Sequence, residues 1–235
     1  VQKHHPKFSI QKLDYDDPET YKMLGQGDTE GVFQLESSGM KQVLVGLQPQ
    51  NLEDVIALIS LYRPGPMDSI PTYLRNRHEP DKISYKTPQL AHILDVTNGC
   101  IVYQEQVMQI FRELAGFSFG QADNVRRAMS KKKHAVMEAE REHFVHGCTE
   151  PGHECPGCVA NGISEKVANE IYDEMSSFAS YAFNKSHAAC YAYVAFQTAY
   201  LKCHYPSEFM AALLTSVLDN TDKVIEYSGE CARLG

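Results

Sequence analysis

A chain of 235 residues with 43% apolar and 22% charged residues has the make-up of a globular protein with a sizeable core, in one large domain or two small ones. No apolar run approaches the ~18 residues of a membrane helix, and Val1 to Pro6 hold no apolar signal core, so a cytoplasmic protein is expected. The net charge of −8 speaks against a protein that coats nucleic acid with a basic surface. Five of the 22 basic residues fall between Arg126 and Lys133, with no acidic residue among them, leaving 17 against 30 acidic residues elsewhere. The valine start and the Leu234-Gly235 end read as the bounds of a piece cut from a longer protein. The seven cysteines are an odd number and scattered apart from one cluster near residue 150, a pattern of thiols or a metal site rather than of a disulfide framework.

In chain order, Asp17-Pro18 predicts a helix start, a capping side chain followed by proline at the first helical position, with Gly25 as its stop. Gly31 to Leu35 is short and apolar and predicts a strand. Leu52, Val55, Ile56 and Ile59 recur at helical spacing until Arg63-Pro-Gly-Pro66. The polar, proline-bearing stretch from Arg63 to Thr97 reads mostly as loop, and Cys100 to Tyr103 as a second strand. Val107, Ile110, Phe111 and Leu114 predict a helix ending at Gly116, and Gln121 to His146 another. Ser164 is placed to cap a helix whose inner face is Val167, Ile171, Met175 and Phe178. His187 to Cys203 is rich in alanine and aromatics and predicts a buried central helix; Pro206 starts one more, to about Leu218. The expected class is mainly α with minor short β-strands.

Two segments carry chemistry. On a helix from Gln121 to His146, Arg127 and Lys131 stand one turn apart, with Arg126 and Lys133 two turns apart on the adjacent row. Like charges this dense repel, and paired guanidinium groups suit a polyphosphate because each offers parallel donors. The competing reading is a solvated basic face, although Glu138 to Glu142 turn the same helix acidic. The second segment is Tyr181-Ala-Phe-Asn-Lys-Ser-His187. Asn184 or Ser186 is able to cap the apolar helix, leaving its first amides free for an anion; Lys185 adds charge and Tyr181 an aromatic face. A plain capping turn with a satisfied His187 is the alternative.

A third segment, Cys148-Thr-Glu-Pro-Gly-His153-Glu-Cys155-Pro-Gly-Cys158, offers three thiols, with His146 or His153 as a fourth ligand. A structural zinc knuckle is one reading and a loop insertion with incidental thiols the other. Cys100, Cys190, Cys203 and Cys231 read as ordinary small core residues.

Gly31-Val-Phe-Gln-Leu-Glu-Ser37, Arg63-Pro-Gly-Pro66, Tyr103-Gln-Glu-Gln-Val-Met-Gln109, Arg126-Arg-Ala-Met129 with Lys131-Lys-Lys133, Phe183-Asn-Lys-Ser-His187 and Tyr205-Pro-Ser-Glu-Phe-Met-Ala211 together resemble the C-family bacterial replicative DNA polymerases. The order and spacing match from about Asp14 onward. The resemblance implies the helical fingers domain of a DNA polymerase III alpha subunit, with residues 1–30 a connector from the palm and first helix. It implies fingers over 31–220 with the Cys/His insertion at 146–162, and the start of the following region at 221–235. It further implies that Arg126 and Arg127 reach the triphosphate of the incoming dNTP and that Tyr181 lies beside that nucleotide. Asn184, Lys185, Ser186 and His187 are then expected as sugar or phosphate neighbours, and Lys131, Lys132 and Lys133 as support for phosphates or primer-template DNA. The catalytic aspartates and their Mg2+ are expected outside this chain, Asp14, Asp16 and Asp17 serving only the first helix, so the piece alone is expected to be inactive. Expected partners are dNTP, DNA, the remaining domains and other replicase subunits such as the sliding clamp. A stand-alone zinc-knuckle module for nucleic acid or protein docking is the competing function.

Overall fold

The computed structural model describes residues 1–131, 134–179 and 181–235. Among them the α-helices are α1 (Pro18–Gly25), α2 (Ser38–Leu47), α3 (Leu52–Leu61), α4 (Ile70–His78), α5 (Ala91–Leu94), α6 (Gln104–Ala115) and α7 (Phe119–Ser130). They continue as α8 (His134–His146), α9 (Gly157–Ala160), α10 (Glu165–Ala179), α11 (Lys185–His204), α12 (Pro206–Ser216) and α13 (Thr221–Leu234). The fold is mainly α, as expected. The chain divides into two compact units, Val1–Ile59 with Ala188–Gly235, and Ser60–His187.

In the first unit Asp17 caps α1, its Oδ2 accepting from the Thr20 amide at 2.9 Å and the Thr20 hydroxyl at 2.6 Å. Asp14 instead receives the Asp16 amide. Ala188, Ala192, Ala195, Phe196 and Ala199 form the buried face of α11. Phe196 packs against Tyr15 and Tyr21 with ring centroids 5.2 and 5.1 Å apart. Tyr193 and Val194 on the same helix are exposed, so α11 is buried on one side only, contrary to expectation; small alanines at three- and four-residue spacing let one face approach its neighbours.

The second unit is built around Val107, Ile110, Phe111 and Leu114 of α6, joined by Val125 and Met129 of α7, Phe144 of α8 and Tyr172 of α10. Phe111 lies 5.0 Å from the Phe144 ring and 6.0 Å from that of Tyr172. Apolar burial of this kind contributes roughly 1.5–3 kcal/mol per large side chain. The buried Gln106 satisfies all its polar groups: its Oε1 accepts from the Val102 and Tyr103 amides, both at 2.9 Å, and its Nε2 donates to Thr97 Oγ1 and the Ile93 carbonyl.

Further expectations are corrected. Gly31 to Leu35 is a turn, because Gly31 (φ 74°) and Gln34 (φ 64°) adopt left-handed backbone that no strand accommodates; Cys100 to Tyr103 contributes only an isolated bridge, Tyr103 to Phe183. The expected loop from Arg63 to Thr97 holds α4, α5 and several 3-10 turns, since Pro66, Pro71, Pro80 and Pro88 stand at helix starts, where the missing amide costs nothing. Finally, α7 ends at Ser130 with Lys131 as its C-cap, so the basic run is not one helix into α8. The expected roles of Lys132 and Lys133 lie outside the described residues.

Candidate functional site

The Tyr181–His187 segment is held from below by Arg63 and Gly65. The Arg63 guanidinium stacks 4.2 Å over the Phe183 ring and donates to the Tyr181 carbonyl. Gly65 has φ 99°, and a Cβ there would meet the Tyr181 ring at 2.5 Å. The proline-glycine turn is therefore the seat of Tyr181, whose ring stays exposed. The Gln104 amide donates to the Phe183 carbonyl at 3.0 Å, tying this segment to the start of α6.

Asn184 is the cap of α11: its Oδ1 accepts from the His187 amide at 2.9 Å. The helix start is not open as expected. Glu105 fills it, accepting from Asn184 Nδ2 at 2.9 Å and from the Lys185 amide at 3.3 and 3.2 Å on its two oxygens. A carboxylate is what the positive end of a helix attracts, and here it comes from the chain itself. The Lys185 ammonium lies 5.3 Å over the Tyr103 ring, and His187 packs edge-on to Phe183. Ser186 and His187 are exposed.

On α7 the two arginines share one carboxylate. Arg126 donates through Nε (3.0 Å) and Nη2 (2.6 Å) to Asp123 Oδ1, and through Nη1 to Gln104 Oε1 (3.0 Å). Arg127 reaches the other oxygen, Oδ2, at 2.7 Å. The hydrogen bonds from Arg126, with the charges of both guanidinium groups, hold the Asp123 carboxyl below the usual range. Arg126, Gln104, Glu105, Asp123 and Asn184 all line one cavity of about 450 Å³, so the structure brings Arg126 and Asn184 together. Arg127 and Lys131 are exposed on α7 and at its end.

Sequence reasoning missed Arg63, Gln104, Glu105 and Asp123. Asp123 was within reach of it, since residues three and four positions before the arginines face them on a helix. Glu105 was not: it acts 80 residues away from Lys185 in the chain.

The cysteine segment forms a tight hairpin in which Cys148 and Cys155 exchange both backbone hydrogen bonds at 2.9 Å. Gly147 and Gly157 are obligatory there, because a Cβ on Gly157 would fall 2.3 Å from the Gly147 nitrogen. Among the described residues no three of the expected zinc-ligand atoms come within 4.8 Å of one another; Cys158 is fully buried in the core and Cys155 nearly so, while His153 is exposed. Burial pushes the Cys155 thiol up and that of Cys158 to about 12. Among the described residues, the His, Cys or acidic ligand atoms that come within 4.8 Å of one another in a set of three are those of Asp28, Glu30 and Glu230. That set does not fit a metal either, since the Lys202 ammonium sits at 2.8 Å from Asp28 and 2.7 Å from Glu230.

Among the described residues no helix is long and apolar enough to cross a membrane. A family model described as the bacterial DNA polymerase III alpha subunit finger domain matches residues 1–152. Over 97% of the chain, it is 49% identical to the DNA polymerase III subunit alpha of Thermus aquaticus, of which it covers 18%. It is 46% identical to that of Bacillus subtilis (strain 168) and 44% identical to that of Staphylococcus aureus (strain Mu50 / ATCC 700699), covering 20% of each. The chain thus spans about a fifth of the length of the curated relatives it matches. With its motifs, its helical architecture and these matches in agreement, the chain belongs to the finger-domain family of bacterial DNA polymerase III alpha subunits.

Proposed function

We propose that this chain receives the incoming deoxynucleoside triphosphate and contacts primer-template DNA within a replicative DNA-directed DNA polymerase. The observation that carries this reading is the pair of adjacent guanidinium groups on α7, one of them 64% exposed, beside a cavity that Asn184 also lines. Guanidinium donors match the spacing of phosphate oxygens. Arg126 and Arg127 hold the triphosphate, and Tyr181, seated on Gly65, flanks the base or sugar. Asn184, Lys185, Ser186 and His187 neighbour the sugar or phosphates, and Lys131 to Lys133 support the phosphates or the DNA backbone. The sliding clamp and other replicase subunits are partners of the longer protein.

Phosphoryl transfer requires carboxylates that hold catalytic metal ions. The acidic set found among the described residues is occupied by Lys202; on this reading the Mg2+ ligands belong to another part of the polymerase and this chain alone does not extend primers. Its contribution is binding and orientation of the nucleotide. Replacing both Arg126 and Arg127 with glutamate in the full-length polymerase should abolish nucleotide incorporation; synthesis at the normal rate contradicts the reading. Template-dependent extension by this chain alone contradicts its expected inactivity. Salt-sensitive DNA binding by this chain that ignores added dNTP would point to a stand-alone binding module instead.

A further inference from the structure

The two arginines of α7 are adjacent in sequence but differ in how they are held. Arg126 is 20% exposed and commits three donors, two to Asp123 Oδ1 and one to Gln104. Arg127 is 64% exposed, and its one ion pair among the described residues is to Asp123 Oδ2. Exposed single pairs of this kind contribute little to stability, so Arg127 leaves its partner at small cost. Its departure does not strand Asp123 as an unpaired carboxylate, because Arg126 still neutralises it. Asp123 stands three and four residues before the arginines, on the same face of α7, and each oxygen serves a different guanidinium.

We propose that Asp123 is a positioning residue that stands in for a substrate phosphate, one oxygen anchoring Arg126 while the other parks Arg127 for transfer to the triphosphate. This rests on the nucleotide-binding reading above and refines it: Arg126 is the fixed member of the pair and Arg127 the mobile one. Glu105 plays a similar part at the neighbouring helix start, where it occupies the Lys185 amide. Both predicted anion receptors are thus held ready by internal carboxylates that line one cavity. Preorganisation of this sort lowers the ordering cost when the ligand arrives.

The test is a double-mutant cycle in the full-length polymerase, with KM for dNTP and kcat measured separately on a primer-template. Asp123→Asn keeps the shape and one acceptor but loses the charge and the fork. It should raise KM by about tenfold, roughly 1.4 kcal/mol, and change kcat by less than about threefold. Arg127→Gln should raise KM by a similar factor, and the double variant by no more than either alone, the mark of two residues acting through one interaction. Asp123→Glu should return KM to within about threefold of wild type, and it also serves if Asp123→Asn fails to fold. Multiplicative effects in the double variant, or an unchanged KM for Asp123→Asn with Arg127→Gln impaired, overturn the positioning role alone. An unchanged KM for Arg127→Gln overturns the nucleotide-binding reading beneath it.

Discussion

In one unit of this protein Lys202 is closed off from solvent, its ammonium 2.8 Å from Asp28, 2.7 Å from Glu230 and 3.1 Å from the Glu30 carbonyl. In the other, Arg127 stands largely in water with one carboxylate oxygen beside it. Both are cations facing acidic groups, and both looked alike as charges in the sequence. The difference lies in donors and desolvation. All three ammonium protons of Lys202 are spent inside the protein, and removing a buried partner strands the rest. Arg127 has donors to spare and pays little to move. Saturated and buried cations hold a fold, whereas exposed and under-used ones remain available to a ligand.

The comparison breaks first at Lys202. Lys202→Met leaves Asp28, Glu30 and Glu230 without the buried cation between them, with only the half-exposed Arg233 still paired to Asp28 and Glu230, and should destabilise this chain by about 3 kcal/mol in denaturant unfolding. A loss near zero would mean that burial does not separate the two clusters. A second, smaller effect is expected at Gly65, where alanine must adopt a strained φ against the Tyr181 ring; Gly65→Ala should cost about 1–3 kcal/mol and displace Tyr181, read as a change in its ring resonances by NMR.

Acid sharpens the comparison further. Hydrogen bonds from Arg233, then Lys202, hold the Glu230 carboxyl down at about 2, against roughly 4.3 for an unperturbed glutamate. A depressed folded-state pKa contributes stability that is present above the unfolded value and lost as pH falls towards the folded one. Melting temperature should therefore drop between about pH 4.5 and 2, and Glu230→Gln, which removes this titration, should flatten that part of the profile. Equal slopes for the two proteins would count against a charged Glu230 in the cluster.

What the sequence made legible was local. The Asp17 cap, the α6 face from Val107 to Leu114 and the Asn184 cap each depend on residues within a turn or two, and each is found in the structure. The site's wiring was not local: Arg63 supports Tyr181 from 118 residues away, and Glu105 fills the start of α11 from another helix. Hence a helix end expected to be open is occupied. Prolines in 63–97 signalled breaks but served as helix starts, and Gly31 and Gln34 turned an apolar stretch into a turn through backbone handedness that a hydrophobic pattern does not encode. The cysteine spacing suggested a zinc knuckle, while the structure directs Cys158 into the apolar core.

The smallest expected change in stability belongs to Arg127, and it carries the central claim. Arg127→Gln in the full-length polymerase should alter unfolding stability by less than about 0.5 kcal/mol while raising KM for dNTP by about tenfold. A KM equal to that of wild type, with the protein folded and DNA bound normally, would contradict the assignment of this exposed guanidinium to the nucleotide's phosphates.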